Sequence, residues 1–290
     1  MSAQLMDWKS AIEFMRKDTA WSTFLEENYW SEDLLANVAN FENSDEFAKT
    51  LSLIEEYAPS AKSIVVLGAG NGTMAIALAK KGYDIKAIEN SYDESIGIKA
   101  IQTLKVHFQL ENIEIMSCNY EKLNLSTNSV DIVYMRQNLH YAKDLNKQIA
   151  EISRILKLGG IFLATRTHVA DDKEEQEAFQ AQNPLSKIYN GEHAFLQKEY
   201  KNAIFSANLN IWKTLKYFDS TINYLPNPIQ DLIEKSIKNQ KTIKMIHDSL
   251  AMKIPFFRKY YAKSTLENYG LLLDETAIPG RFYTYITVKD

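Results

Sequence analysis

The chain holds one cysteine, Cys118, among its 290 residues. A single thiol excludes a disulfide framework, a multi-cysteine zinc site and a cysteine-held iron–sulfur cluster. Positive charge is not in excess: 33 Lys and Arg stand against 37 Asp and Glu, a net charge of −4. No global field therefore recruits nucleic acid or an anionic membrane. No apolar run approaches the eighteen residues that a membrane span needs. The opening stretch MSAQLMDWKSAIEFMRKD mixes charges among its apolar positions and lacks a signal-peptide core. These absences lead to the expectation of a soluble, cytoplasmic protein. Histidine is scarce, with five in the chain, so candidates for acid–base chemistry can be considered one by one.

What is present is an ordinary globular composition, long enough for one large or two small cores. Residues 1–60 read as helices, with Trp8, Phe14, Trp21, Phe24, Tyr29 and Trp30 set among acids and leucines. Leu51, Leu53, Ile54 and Tyr57 recur at helical spacing before Pro59 breaks the pattern. The pattern then changes to short apolar runs alternating with amphipathic segments. Strands are expected at 63–67, 84–89, 113–117, 130–135 and 161–166. A helix over 73–81 ends at Gly82, and a second opens at Ser91 with Glu94 at capping-box spacing. A third, over 144–156, aligns Leu145, Ile149, Ile152 and Ile155 before a KLGG turn. Beyond His168 the regularity lapses into an acidic, polar stretch. Sixth and seventh strands follow at 210–219 and 281–289, the last with Phe282, Thr284, Ile286 and Val288 on one side.

Strands joined by helices of this length imply right-handed crossovers and a parallel sheet covered on both faces, an α/β, Rossmann-like fold. The expected division is an N-terminal helical lid over 1–60, a core of 61–225 with 281–290, and a helical insertion at 226–280.

The stretch SIVVLGAGNGT (63–73) runs a buried strand into three glycines, Gly68, Gly70 and Gly72. Such a turn brings backbone N–H groups and a helix N-terminus against a ligand, because glycine adds no Cβ to collide with it. The dinucleotide fingerprint G-x-G-x-x-G would need its third glycine where Thr73 stands, so a nicotinamide cofactor is the poorer match. Glu89 closes the second strand, seventeen residues past Gly72, where a carboxylate accepts hydrogen bonds from a ribose diol. SCNYEKL follows the third strand, where an adenine edge would be met. MRQNLHYAKD follows the fourth, at the carboxyl end of the sheet where open α/β folds bind ligands.

With VVLGAGNG, IEN, VDIVYMRQNLHYAKD and ISRILKLGGIFLATR in this order, the chain resembles the class I S-adenosylmethionine-dependent methyltransferases. It resembles in particular their small-molecule, type 11-like subgroup, and the resemblance covers about residues 60–170. It implies seven strands with the last antiparallel, and S-adenosyl-L-methionine as cofactor. The cofactor-binding residues it implies are Gly68, Ala69, Gly70, Asn71 and Gly72, then Glu89 and Asn90. Cys118, Asn119 and Tyr120 follow, with Arg136 and Gln137. No metal is called for. The sequence departs from the family at Val66, where an acid commonly stands, and at Leu158, where proline is usual.

Methyl transfer is an in-line displacement in which the cofactor carries the activated group. A hydroxyl acceptor would also need a base. His140, just past the fourth strand, is the candidate base, or else caps the helix that follows. Arg166 and His168 sit past the fifth strand at the same edge. Arg166 would clamp an acidic group of the substrate or pair with the acidic run at 171–177. Tyr189, Glu192 and His193 form a polar–aromatic cluster of the kind that closes over ligands. RQNL does not match the asparagine–proline–proline–aromatic loop of some amino-methylating relatives, which argues against methylation of adenine amines and glutamine amides. Cys118 follows Ser117 and not a proline, which argues against a covalent pyrimidine mechanism.

The expected activity is transfer of a methyl group to a small or medium-sized acceptor, at oxygen before other atoms. The one charge bias lies in the insertion, where eight Lys or Arg face two acids over 234–263. That basic face is either simply solvated or a cap over an anionic acceptor. Docking of RNA or protein through it, and a non-catalytic cofactor binder, are the alternatives. No motif requires nucleic acid.

Overall fold

Apolar runs too short for helices, each bounded by a glycine, asparagine or charged turn, become the strands of one sheet. They are β1 Ser63–Leu67, β2 Asp84–Ile88, β3 Ile113–Met116, β4 Val130–Arg136, β5 Leu156–His168, β6 Leu209–Leu215 and β7 Phe282–Lys289. The structure, a computed structural model, describes residues 6–183, 185–189, 194–225, 275, 278 and 280–290. The strand order is β3-β2-β1-β4-β5-β7-β6. Strands β1 to β5 pair in parallel, and β7 runs antiparallel to both β5 and β6. This is the expected mostly parallel Rossmann-like sheet with its last strand reversed.

The helices preceding the sheet are α1 Trp8–Lys17, α2 Ser22–Glu27, α3 Leu34–Glu42 and α4 Asp45–Tyr57. Asp7, Asp33 and Ser44 cap α1, α3 and α4 through their side chains. Between and after the strands come α5 Thr73–Lys80, α6 Ile98–His107, α7 Leu145–Ile155, α8 Lys173–Gln182, α9 Gln197–Ser206 and α10 Thr221–Tyr224.

Helices on both faces explain why β1 is a continuous apolar run. Ile64 and Val66 join a cluster with Phe41, Phe47, Ile54 and Ile76 on one face. Val65 and Leu67 join another with Ile149, Ile152 and Tyr200 on the opposite face. The expected one-sided pattern of β7 is likewise absent, since Tyr283 through Val288 are all buried.

Three local expectations are corrected. Ser91 does not open a helix: α6 begins at Ile98, because Glu89 takes the Ser91 amide and Asp93 takes those of Ser95 and Ile96, stabilising a loop. The KLGG segment is not a turn before a strand. It is the start of β5, which pairs Leu156 with Val130 and shifts register before Ile161 meets Ile132. The acidic stretch after His168 holds α8, capped by Asp172. The expected helices of 226–280 lie outside the described residues, apart from Glu275, Ile278 and Gly280, as do Glu192 and His193. Among the described residues no helix is long and apolar enough to cross a membrane.

Candidate active site

The β1–α5 turn is built as its glycines require. Gly68, Gly70 and Gly72 all have left-handed φ, at 74°, 56° and 88°. Around Gly70 the space is open, with no heavy atom within 4 Å of where a Cβ would stand. The carboxylate of Glu89 ties the turn to the end of β2. It accepts from the Gly70 amide at 2.7 Å, from Asn90 at 2.8 Å and from Ser91 at 3.0 Å. Burial raises the Glu89 pKa, against the lowering effect of those three N–H groups. The family's usual acid is replaced by Val66, buried in β1 between Ala87 and Tyr134. Asn71 helps to order the turn instead: its Oδ1 accepts from the Thr73 amide at 3.2 Å and its Nδ2 donates to the Tyr29 carbonyl at 2.6 Å.

A cleft of about 570 Å³ opens at this edge of the sheet. Of the residues expected at the cofactor, Gly68, Gly70, Asn71, Glu89 and Asn90 line it, with Asn119, Tyr120, Arg136 and Gln137. Ala69, Gly72 and Cys118 are not in its lining. Ala69 is fully buried, Gly72 packs against Ile101 at the N-terminus of α5, and Cys118 sits in the core cluster on the α7 face.

The three catalytic candidates are also placed elsewhere. His140 is 1% exposed and packs on Tyr141 and His168 at ring separations of 4.4 and 4.7 Å. Its Nδ1 accepts from the His168 amide at 3.4 Å. His168 lies between the rings of Phe179 and Phe282, with its Nδ1 against the Gly280 carbonyl. Arg166 is buried and donates to the carbonyls of Ile222 at 2.9 Å and Leu225 at 2.5 Å. Burial lowers its pKa to about 10. It does not pair with the acidic run; Arg281 does, through Asp171 and Glu175. None of the three is among the residues that line the cleft. Gln137 and Arg166, both non-glycine residues, have φ of 47° and 51° at the carboxyl ends of β4 and β5, the kind of backbone strain that gathers at ligand sites.

The cleft wall also holds residues that the motifs did not single out as cofactor ligands: Trp8, Trp30, Glu121, Tyr141 and Lys143, together with Tyr189 of the polar–aromatic cluster. Trp8 and Trp30 stood among the N-terminal aromatics, but nothing in their local pattern told a cleft wall from a core. Among the described residues no group of three or more His, Cys, Asp or Glu is arranged to hold a metal ion.

The residues present suit an adenosyl cofactor: an open glycine backbone, a carboxylate at the end of the neighbouring strand, and polar side chains beyond β3 and β4. Fold and cleft together define a Rossmann-like α/β sheet with a ligand cleft at the carboxyl ends of its strands. In agreement, residues 65–164 match the methyltransferase domain family profile. Residues 65–164 thus form a methyltransferase domain, and S-adenosylmethionine is the cofactor that such a domain takes.

It is 29% identical over 139 residues to dimethylglycine N-methyltransferase of Parasynechococcus marenigrum, covering 45% of this chain and 46% of that protein. An uncharacterized methyltransferase of Bacillus subtilis is 22% identical over 162 residues, 56% of this chain and 62% of that protein. The chain thus spans about half to three fifths of the length of these relatives. Among solved structures, geranyl diphosphate C-methyltransferase of Streptomyces coelicolor superposes with a TM-score of 0.55 at 12% identity, covering 96% of this chain and 87% of that one. At such identity the likeness is one of fold.

Proposed function

We propose that the protein transfers a methyl group from S-adenosylmethionine to a small-molecule acceptor bound in the same cleft. The observation that carries this reading is the pairing of Glu89, at the end of β2, with the open backbone of Gly70 across the cleft mouth. A carboxylate held there by backbone N–H groups keeps oxygen lone pairs for a ribose diol. A cleft of about 570 Å³ falls in the usual range for small-molecule sites. Residues 1–60 would serve as the lid: Trp8 and Trp30 line the cleft, and the Tyr29 carbonyl is hydrogen-bonded to the glycine turn through Asn71.

When bound, S-adenosylmethionine supplies the methyl group already activated on a sulfonium. The chain's own residues bind, align and exclude water, and alignment alone contributes several kcal/mol. Arg136 and Gln137 hold the floor at the end of β4, the Arg136 Nη1 donating to Gln137 Oε1 at 2.6 Å. A hydroxyl acceptor would need a base, and His140, the candidate for that role, is 1% exposed and packs on Tyr141.

Titration calorimetry with S-adenosylhomocysteine tests the cofactor half, and a labelled methyl donor incubated with the protein and metabolite extract tests the transfer. Heat with the first and a labelled small molecule from the second are expected. No heat, or label only in macromolecules, would overturn the reading.

A further inference from the structure

Four aromatic side chains from four separate stretches of chain meet on one wall of the cleft. Trp8 begins α1, Trp30 follows α2, Tyr141 follows β4 and Tyr189 follows α8, and all four line the cavity. Trp8 is the hub: its ring lies 5.2 Å from Trp30, 5.2 Å from Tyr189 and 6.0 Å from Tyr141. Tyr141 and Tyr189 close the group at 5.9 Å. The rings meet at 57° to 88°, Trp8 edge against face with Trp30 and Tyr189 and the other two pairs tilted, none in a flat stack. Each is half-buried, so each keeps ring surface facing the cavity. Electron-rich ring faces attract cations, and quaternary ammonium groups above all.

The charges around the wall agree. Arg136 is paired with Glu46, while Glu89 and Glu121 line the cavity and the other cation there, Lys143, is solvent-exposed. Methylation of a tertiary amine sheds no proton, so such an acceptor asks for no base from these residues.

We propose that the aromatic wall formed by Trp8, Trp30, Tyr141 and Tyr189 selects a tertiary amine as methyl acceptor and holds the quaternary ammonium product. The inference rests on the methyl-transfer reading and names its substrate class. The nitrogen lone pair forms the new bond to the methyl carbon, and the electron pair of the broken carbon–sulfur bond returns to sulfur. Positive charge passes from sulfur to nitrogen. No proton is released and no base is needed, and the ring faces stabilise the charge where it arrives.

The test compares choline with its uncharged carbon isostere, 3,3-dimethyl-1-butanol, binding to the full chain with and without S-adenosylhomocysteine. Choline should bind at least about tenfold more tightly than the isostere. Trp8→Leu should abolish the difference, and Trp8→Phe, which keeps a ring, should retain most of it. With labelled donor, N,N-dimethylethanolamine should take the label on nitrogen. Equal binding of choline and isostere, or a preference that survives Trp8→Leu, overturns the proposal. Failure of S-adenosylhomocysteine to bind overturns the methyl-transfer reading instead, and the choline comparison still decides what the wall recognises.

Discussion

Arg136 and Glu46 form a two-point ion pair almost wholly removed from water. Nε lies 2.5 Å from Oε1 and Nη2 lies 2.9 Å from Oε2, with side-chain exposures of 2% and 3%. The pair joins α4 to the carboxyl end of β4, directly behind the cleft. Burial pushes the Glu46 pKa up, but Arg136 and Arg166 outweigh it and hold the carboxylate below its usual range. Glu46→Ala leaves Arg136 buried without its counter-charge, which costs about 3–5 kcal/mol and is read by chemical denaturation. Because the folded pKa is depressed, this group's contribution is present above the usual carboxylate range and is lost as pH falls through the folded value. Glu46→Gln should therefore remove acid sensitivity as well as stability.

Glu89→Ala should weaken S-adenosylhomocysteine binding by at least about 1 kcal/mol, the value of a lost charged hydrogen bond. Calorimetry checks it, and unchanged affinity would move the sugar site elsewhere. The Glu89 pKa is raised, so affinity should begin to fall, as the solution is acidified, at a pH above the ordinary glutamate value of about 4.3. The sign follows from the ionised form being the better acceptor for a diol. By the same linkage Glu89 favours the folded state below its unfolded pKa, and that contribution is lost as pH rises through the folded value.

His140→Ala is expected to act on stability. It leaves the His168 amide without the acceptor Nδ1 and opens space beneath Tyr141, which costs about 1–3 kcal/mol. Thermal melting should show the loss, while turnover per folded molecule stays within a few-fold. A collapse of kcat in a well-folded variant would return His140 to the chemistry.

Asp131 works at the opposite end of the sheet from the cleft. Its Oδ2 accepts from the Ser63 hydroxyl at 2.8 Å, the Ser63 amide at 2.9 Å and the Lys62 amide at 3.1 Å. Its Oδ1 meets Lys157 Nζ at 2.6 Å. Burial alone would raise its pKa; Lys157 and the Ser63 and Lys62 donors prevail and hold it well below the usual range. Asp131→Asn should cost about 1–3 kcal/mol in denaturant with cofactor affinity unchanged. This stabilisation is present at neutral pH and is lost only in strong acid, as pH falls through the depressed pKa.

Some of the site was legible in the linear chain because its geometry is local. Glycine at 68, 70 and 72 is read directly, since left-handed φ is costly for other residues. Glu89 follows from strand length, because a strand that begins beside β1 must end beside the turn. The start of α6 was not legible in the same way. Ser91 and Glu94 have the spacing of a capping box, yet Glu89 and Asp93 capture the amides that would have opened the helix.

The strand–helix alternation and the glycine turn were determined by the sequence alone, because short-range periodicity and backbone sterics set them; the reversed last strand was implied only by the family resemblance. Which side chains face the cleft was decided by the tertiary structure. A one-residue change along a 3₁₀ turn separates Tyr141, in the cleft wall, from His140, beneath it. Trp8, Trp30 and Tyr189 come together only when α1, α2 and the segment after α8 pack over the sheet edge. Contacts between residues more than a hundred positions apart have no period in the chain, and packing chooses them.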